Sequence, residues 1–308
     1  MNAAERLIGA KPFLKWAGGK RQLIPHIQTV LPENIRTVDD LTYVEPFVGG
    51  GAILFWLLQS YPNIKKAVIN DINPDLTTAY QVIRDCPGAL IQSLETIQET
   101  YFSLSSEPAR RLFFNTKRDE FNASALDRIT RTTLLIFLNR TCFNGLYRVN
   151  SSNKFNVPFG RYDRPQLYNA QTLWADSELL QRVTILNGDF AQTLNHIDGP
   201  AFFYIDPPYK PLSQTANFNA YAAQDFNDAA QERLAHFCRK LDKQNYLWLL
   251  SNSDVTNTAV QNTYFDDLYQ GFSIRRIKAR RTINSNANRR GEINELLVAN
   301  YTLSSFGH

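Results

Sequence analysis

The sequence predicts an α/β fold: a mostly parallel sheet with an antiparallel terminal hairpin, interrupted by an inserted, mostly helical subdomain. Three observations predict it. Five short apolar runs, Tyr43–Pro46, Ala67–Asp71, Val183–Asp189, Ala201–Asp206 and Tyr246–Ser251, end in small or acidic residues and alternate with helical-looking segments, as strands of a parallel sheet do. Two further β-rich runs, Ser273–Ala279 and Glu295–Tyr301, are joined by the basic, Asn-rich stretch Arg280–Gly291 with no helix between them, which favours antiparallel pairing. The second and third runs lie more than 100 residues apart, far beyond a connection through a single helix.

That gap sets the expected domain organisation. Residues 1–73 and 167–308 form one discontinuous domain, and residues 74–166 form the insert. The insert begins with helical stretches such as Arg128–Asn139 and continues into the polar segment Asn144–Tyr162, rich in Asn, Gly, Arg and aromatic residues and hairpin-like in pattern. No internal repeat or low-complexity tract interrupts the chain.

Composition narrows the class. Apolar residues make up 44% and charged residues 20% of the 308 positions, so the whole chain is expected to fold. The N-terminus lacks the apolar core of a signal peptide, and the longest apolar runs are strand-length, well short of a membrane span. A soluble, cytoplasmic protein is expected. Cys86, Cys142 and Cys238 form no CxxC pair, and His26, His196, His236 and His308 form no ligand spacing, which leaves a metal-dependent mechanism without ligands. The net charge is only +4. Its distribution says more: between Asp267 and Glu292 there is no acidic residue, yet Arg275, Arg276, Lys278, Arg280, Arg281, Arg289 and Arg290 all occur. This is either a solvated basic face or a loop that contacts phosphates.

The first chemical motif runs from Tyr43 to Ala52, where a strand meets Glu45-Pro46-Phe47-Val48-Gly49-Gly50-Gly51 and a helix start. Glycines such as Gly49 let a ligand approach the backbone. Asp71 ends the next apolar run twenty residues past Gly51, where a carboxylate can accept both hydroxyls of a ribose. A ribose-bearing cofactor follows, although the spacing is not that of a dinucleotide fingerprint. Upstream, Phe13-Leu14-Lys15-Trp16-Ala17-Gly18-Gly19-Lys20-Arg21 lacks the first glycine and the Ser/Thr of a phosphate loop. Lys20 is suited to a carboxylate, and Trp16 to packing on a cationic or aromatic ligand.

The most informative octet is Phe202-Phe203-Tyr204-Ile205-Asp206-Pro207-Pro208-Tyr209, an apolar strand delivering Asp-Pro-Pro-Tyr at its carboxyl end, where an open α/β sheet places its chemistry. An amine conjugated to a purine is a poor nucleophile. Acceptors aimed at its N–H bonds, the Asp206 carboxylate and the Pro207 carbonyl, return the lone pair to nitrogen. The prolines hold that carbonyl rigidly, and Tyr209 can stack on a base turned out of a duplex. Asn187-Gly188-Asp189-Phe190 either binds an adenine ring through Asp189 and Phe190 or is a plain turn.

Together these motifs resemble the Dam-like (D12 class, alpha group) family of DNA adenine-N6 methyltransferases. The resemblance covers nearly everything from Phe13 to Tyr301 and comprises, in order, FLKWAGGKR, EPFVGGGA, NDINPDL, CFNGLYRVN with FNVPFGRY, NGDF and DPPY. It implies a Rossmann-like class I methyltransferase sheet whose insert reads DNA. It implies S-adenosylmethionine as methyl donor and S-adenosylhomocysteine as product, with Trp16, Lys20, Asp71 and Asp206 as cofactor contacts and Phe47, Gly49, Asp189 and Phe190 as further ones. For duplex DNA, most often GATC in this family, Arg148 resembles a guanine-reading arginine. Leu146 and Pro158 resemble thymine-methyl contacts, Phe143 and Asn144 residues that fill the space of a flipped adenine, and Lys15 and Tyr162 readers of the outer guanine. The segment from Ala216 to Tyr221 onward resembles the family's mobile loop, with Asn219 and Asp225 in place of the commoner Thr and Gly. A monomer suffices for this chemistry, with or without a cognate restriction endonuclease. From the residues alone, an RNA amine methyltransferase, a catalytically inactive DNA-binding relative and a nicotinamide oxidoreductase are the alternatives.

Overall fold

The computed structural model describes residues 9–16, 20–123, 125–209, 226–254, 262–280 and 292–303. In chain order the regular elements are α1 (Ile24–Val30), β1 (Leu41–Glu45), α2 (Ala52–Ser60), β2 (Ile64–Asp71), α3 (Pro74–Asp85), α4 (Pro87–Ser103), α5 (Glu107–Phe121) and α6 (Arg128–Thr141). They continue with α7 (Ala170–Leu180), β3 (Val183–Asn187), β4 (Ala201–Ile205), α8 (Asp228–Lys243), β5 (Leu247–Ser253), α9 (Tyr264–Leu268), β6 (Ser273–Arg280) and β7 (Glu292–Ala299). The contacts divide the chain into two compact units. One comprises residues 1–19, 49–62 and 73–188, the other residues 20–48, 63–72 and 189–308.

In the second unit, six strands run in the order β2-β1-β4-β5-β7-β6. β2, β1, β4 and β5 are mutually parallel, whereas β7 is antiparallel to both β5 and β6. Every residue of β1 and β4 is buried, as expected for central parallel strands covered on both faces. The mostly parallel sheet and its antiparallel end are therefore as the sequence predicts, with shifted boundaries. β2 starts at Ile64, three residues before the apolar run, because the exposed Lys65 and Lys66 extend the strand, with a register shift against β1 that leaves Lys65 out of the pairing. β5 runs on through Asn252 and Ser253, polar residues that are nonetheless buried and paired with Leu296 and Glu295 of β7.

The first unit is helical apart from β3. Helices α3, α5, α6 and α7 begin on side-chain caps: Asn73 accepts from the backbone N–H groups of Asp75 and Leu76, Ser106 from Ala109, Asp127 from Ile129 and Thr130, and Asn169 from Thr172. Each cap satisfies donors that the first turn leaves open. Helix α6 is buried from Thr132 through Asn139 and packs against α3, α4 and α5. Tyr101, Phe113 and Phe137 lock this packing, with ring centroids 5.5 to 6.3 Å apart. The stretch after α6 carries two isolated antiparallel bridges, Cys142 with Phe159 and Val149 with Phe155, in place of a continuous hairpin ladder.

Gly51 caps α2 in the left-handed region at φ 72°. A Cβ there would collide with the Tyr80 hydroxyl and lie 3.3 Å from the Phe55 ring. Strain and collision act together, so Gly51→Ala is expected to destabilise the protein by about 2 kcal/mol. A lowered urea midpoint at unchanged m-value checks this.

Candidate active site

In the second unit, the carboxyl ends of the adjacent parallel strands β2, β1 and β4 present Asp71, the Pro46–Val48 turn and Asp206 along one edge of the sheet. The turn after β1 is held by Asn70, whose backbone carbonyl accepts from Val48 N–H at 2.9 Å and whose amide donates to the Pro46 carbonyl at 3.0 Å. Gln192 in turn donates to the Asn70 side-chain oxygen at 2.8 Å. Asn70 is almost fully buried and so acts as the fastener of this edge.

Asp206 follows β4 directly, and its side chain keeps 18% exposure. Its Oδ1 lies 3.2 Å from Lys20 Nζ and accepts from the Ser251 hydroxyl at 3.3 Å; Ser251 is also hydrogen-bonded to Tyr204 at 2.8 Å. Lys20 itself is 5% exposed and lies 3.3 Å from Glu295 Oε2. Its ammonium also donates to the Tyr209 hydroxyl and sits 4.4 Å from the centre of that ring. The Tyr209 hydroxyl reaches both Glu295 oxygens at 3.0 Å. Burial opposes the Lys20 charge, but Asp206 and Glu295 outweigh it and hold the ammonium's pKa well above the ordinary lysine range. Burial pushes the Asp206 carboxyl up to about 6 although Lys20 pulls it down, and Glu295 adds to the rise.

Phe47 and Phe190 meet at 5.2 Å between ring centroids, and both contact Phe226. Phe190 is 4% exposed and also packs on Phe237. Asp189 accepts from Ala191 N–H at 2.9 Å, capping the helical turn Phe190–His196, and forms a two-pronged ion pair with Arg233 at 2.7 and 3.0 Å. That pairing outweighs the opposing effect of burial and keeps its carboxyl below the usual range.

In the first unit, a Cβ on Gly49 (φ 49°) would stand 3.1 Å from the Trp16 ring, and the Gly49 carbonyl accepts from Tyr80 at 2.9 Å. Trp16 stacks on Tyr147 at 5.3 Å. Tyr147 donates to Asp75 Oδ2 at 3.0 Å, while Arg131 pairs with Asp75 Oδ1. The next residue along, Arg148, is held by Asn156: Nε donates to its Oδ1 at 2.7 Å and Nη2 to its carbonyl at 3.2 Å. One edge of the guanidinium is thereby occupied, and no described residue accepts from Nη1. Lys15 lies over the Tyr162 ring at 5.6 Å, and Asn139 grips the Lys15 backbone from both sides at 2.8 Å. Phe143 is 48% exposed and Asn144 adopts φ 57°, a left-handed conformation that asparagine tolerates. Leu146 is half-buried and Pro158 exposed, the Pro158 carbonyl accepting from Phe143 N–H at 2.9 Å.

Local motifs in the sequence mark Asp206, Lys20 and Tyr209 but not Glu295, Asn70, Asn156 or the Tyr147–Asp75–Arg131 cluster. A single acid inside an apolar strand, as in Asn294-Glu295-Leu296, was the only mark Glu295 left. In the basic stretch, Arg276 is taken up by Asp254 at 2.9 Å and Asp266 at 2.6 Å. Arg280 ends β6; Arg281, Ala17 to Gly19 and the segment from Ala216 to Asp225 lie outside the described residues. Among the described residues there is no cluster of His, Cys, Asp or Glu able to hold a metal and no helix long and apolar enough to cross a membrane.

Residues 16–283 match the family model of D12 class N6 adenine-specific DNA methyltransferases. The chain is 45% identical to the type II methyltransferase M.MjaIII of Methanocaldococcus jannaschii over 94% of its own length and 99% of that protein's. It is 37% identical to the type II methyltransferase M1.LlaDCHI of Lactococcus lactis, over 96% of each chain. To the DNA adenine methylase of Haemophilus influenzae it is 33% identical over 94% of its own length and 93% of the other's. With a half-buried carboxylate at the end of β4, another at the end of β2 and relatives matched nearly end to end, the chain belongs to the D12 class of N6 adenine-specific DNA methyltransferases.

Proposed function

We propose that this enzyme methylates N6 of adenine within GATC in duplex DNA after turning the base out of the stack, with S-adenosylmethionine as donor. The observation that carries the reading is the Asp206 carboxylate, fixed at the carboxyl end of β4 by Lys20 and Ser251 and followed by two prolines. Asp206 and the Pro207 carbonyl accept the two N6–H bonds and restore the nitrogen lone pair, and the Tyr209 ring stacks on the base. When bound, the cofactor supplies an electrophilic sulfonium methyl and leaves as S-adenosylhomocysteine.

The sheet edge of the second unit fits that cofactor. Asp71 stands at the end of β2, where it accepts the ribose hydroxyls, and Phe47, Asp189 and Phe190 supply an aromatic and acidic surface for the adenine. Lys20 is suited to the methionine carboxylate; in the first unit, Trp16 is suited to packing on a cationic or aromatic ligand, and Gly49 keeps the backbone approachable. In the first unit, Arg148 reads a guanine, Leu146 and Pro158 a thymine methyl, and Lys15 with Tyr162 the outer guanine. Phe143 and Asn144 occupy the space left by the adenine, while Arg280 and Arg281 contact phosphates. The reading is completed by a monomer acting in the cytoplasm, with no lasting complex with any restriction endonuclease.

Sequencing of modified bases in DNA from cells that express the protein tests this reading directly. N6-methyladenine confined to GATC supports it, and methylation in another sequence removes GATC. Two further outcomes are expected. The ionised Asp206 accepts an N–H bond far more strongly than the neutral acid does, and its carboxyl is pushed up to about 6. kcat/KM should therefore rise with pH through about 6 and level off above, so a rate already flat at pH 5 would show that Asp206 is not the required base form. Arg148→Ala should cost about 1–3 kcal/mol of discrimination at one guanine, measured as kcat/KM on single-base variants of GATC.

A further inference from the structure

Glu295 lies in β7, opposite Ser253 of β5 and Ile277 of β6, and is 4% exposed. A carboxylate inside a sheet is costly unless its charge is met and its oxygens are bonded. Here both oxygens face the Tyr209 hydroxyl at 3.0 Å, and Oε2 lies 3.3 Å from Lys20 Nζ. Lys20 is thus shared by two carboxylates, and the transfer chemistry uses only one of them, Asp206. Tyr209 is held at its backbone end by Pro207 and Pro208 and at its hydroxyl end by Glu295. Its ring can therefore neither swing away nor tip without breaking a charge-assisted hydrogen bond.

We infer that Glu295 is a positioning residue for methyl transfer, locking the ring on which the target adenine stacks and sharing the Lys20 ammonium with Asp206. The inference rests on the reading of the Asp206 corner as the transfer site. Its electrostatic consequence is specific. Asp206 is faced by Lys20 from the helical turn before α1, by Glu295 from β7, by Tyr204 from β4, and by Tyr43 with its partner Glu45 from β1. Burial keeps both tyrosines neutral by raising them well above the ordinary range. With the Glu295 charge removed, Lys20 acts on Asp206 with less competition, and the Asp206 carboxyl ionises at lower pH.

The test compares the full-length wild type with Glu295→Gln, Tyr209→Phe and the double variant on adenine-containing duplex. Glu295→Gln is expected to lower kcat about tenfold while KM for DNA and for cofactor each stay within about twofold, the pattern of a lost transition-state interaction. The acid limb of its kcat/KM profile should move below that of the wild type. Tyr209→Phe keeps the stacking ring and loses only the hydroxyl, so it should lose kcat to a similar degree, and the double variant should be no more than about twofold worse than either single one. An unchanged kcat, an unmoved acid limb or strictly multiplicative losses would overturn the inference. Should Glu295→Gln fail to fold, Tyr209→Phe decides alone: a wild-type kcat overturns the inference, and a lowered kcat at unchanged KM supports it. A wild type that leaves adenine unmodified would instead remove the underlying reading, whereas an active wild type matched by Glu295→Gln removes this inference alone.

Discussion

A buried ammonium shared between two carboxylates is the interaction on which the proposed transfer site depends. Without Lys20, Asp206 and Glu295 would stand as like charges at one sheet edge, with burial pushing the Asp206 carboxyl further up. With it, β4 can end in a carboxylate that stays ionised at neutral pH while keeping some contact with solvent. The prolines after Asp206 convert this local charge balance into geometry, because their fixed φ leaves the chain one direction in which to present the Pro207 carbonyl and the Tyr209 ring. The antiparallel end of the sheet contributes directly, since β7 carries the second carboxylate to the cluster.

The first unit supports its loop by a different device. There the regular ladder is reduced to two isolated bridges, and asparagine side chains do the work that strands would do. Asn139 grips Lys15, Asn122 bonds both backbone groups of Phe155 at 2.7 and 3.0 Å, and Asn156 holds Arg148. Such side chains pin irregular backbone without imposing a repeat, which suits a segment proposed to read DNA through singly projecting side chains. Trp16 on Tyr147, and Tyr147 on Asp75, tie the chain before Ala17 to that same segment.

How much of this was legible in the sequence depended on how local the signal was. The runs named every strand, most plainly β1 and β4, where burial on both faces leaves a continuous apolar stretch, and Asp206, Lys20 and Tyr209 stood in short motifs. Strand ends were misplaced where polar residues such as Lys65, Lys66, Asn252 and Ser253 continued the ladder. Glu295 was invisible because its partners are 275 and 86 residues away in sequence. Asp75 and Tyr147, separated by 72 residues, were hidden for the same reason. Periodicity and local spacing carry no information about contacts of that range; only the folded sheet and helices bring them together.

The central claim is that the Asp206 carboxylate acts in the transfer step itself. Single-turnover methyl transfer by Asp206→Ala, measured with preformed enzyme and tritiated cofactor on protein shown to be folded, tests it most directly. The account predicts that duplex binding persists while the transfer rate drops by at least about a hundredfold, the order of loss seen when a positioned polar group is removed from a reacting centre. A transfer rate close to that of the wild type would contradict it.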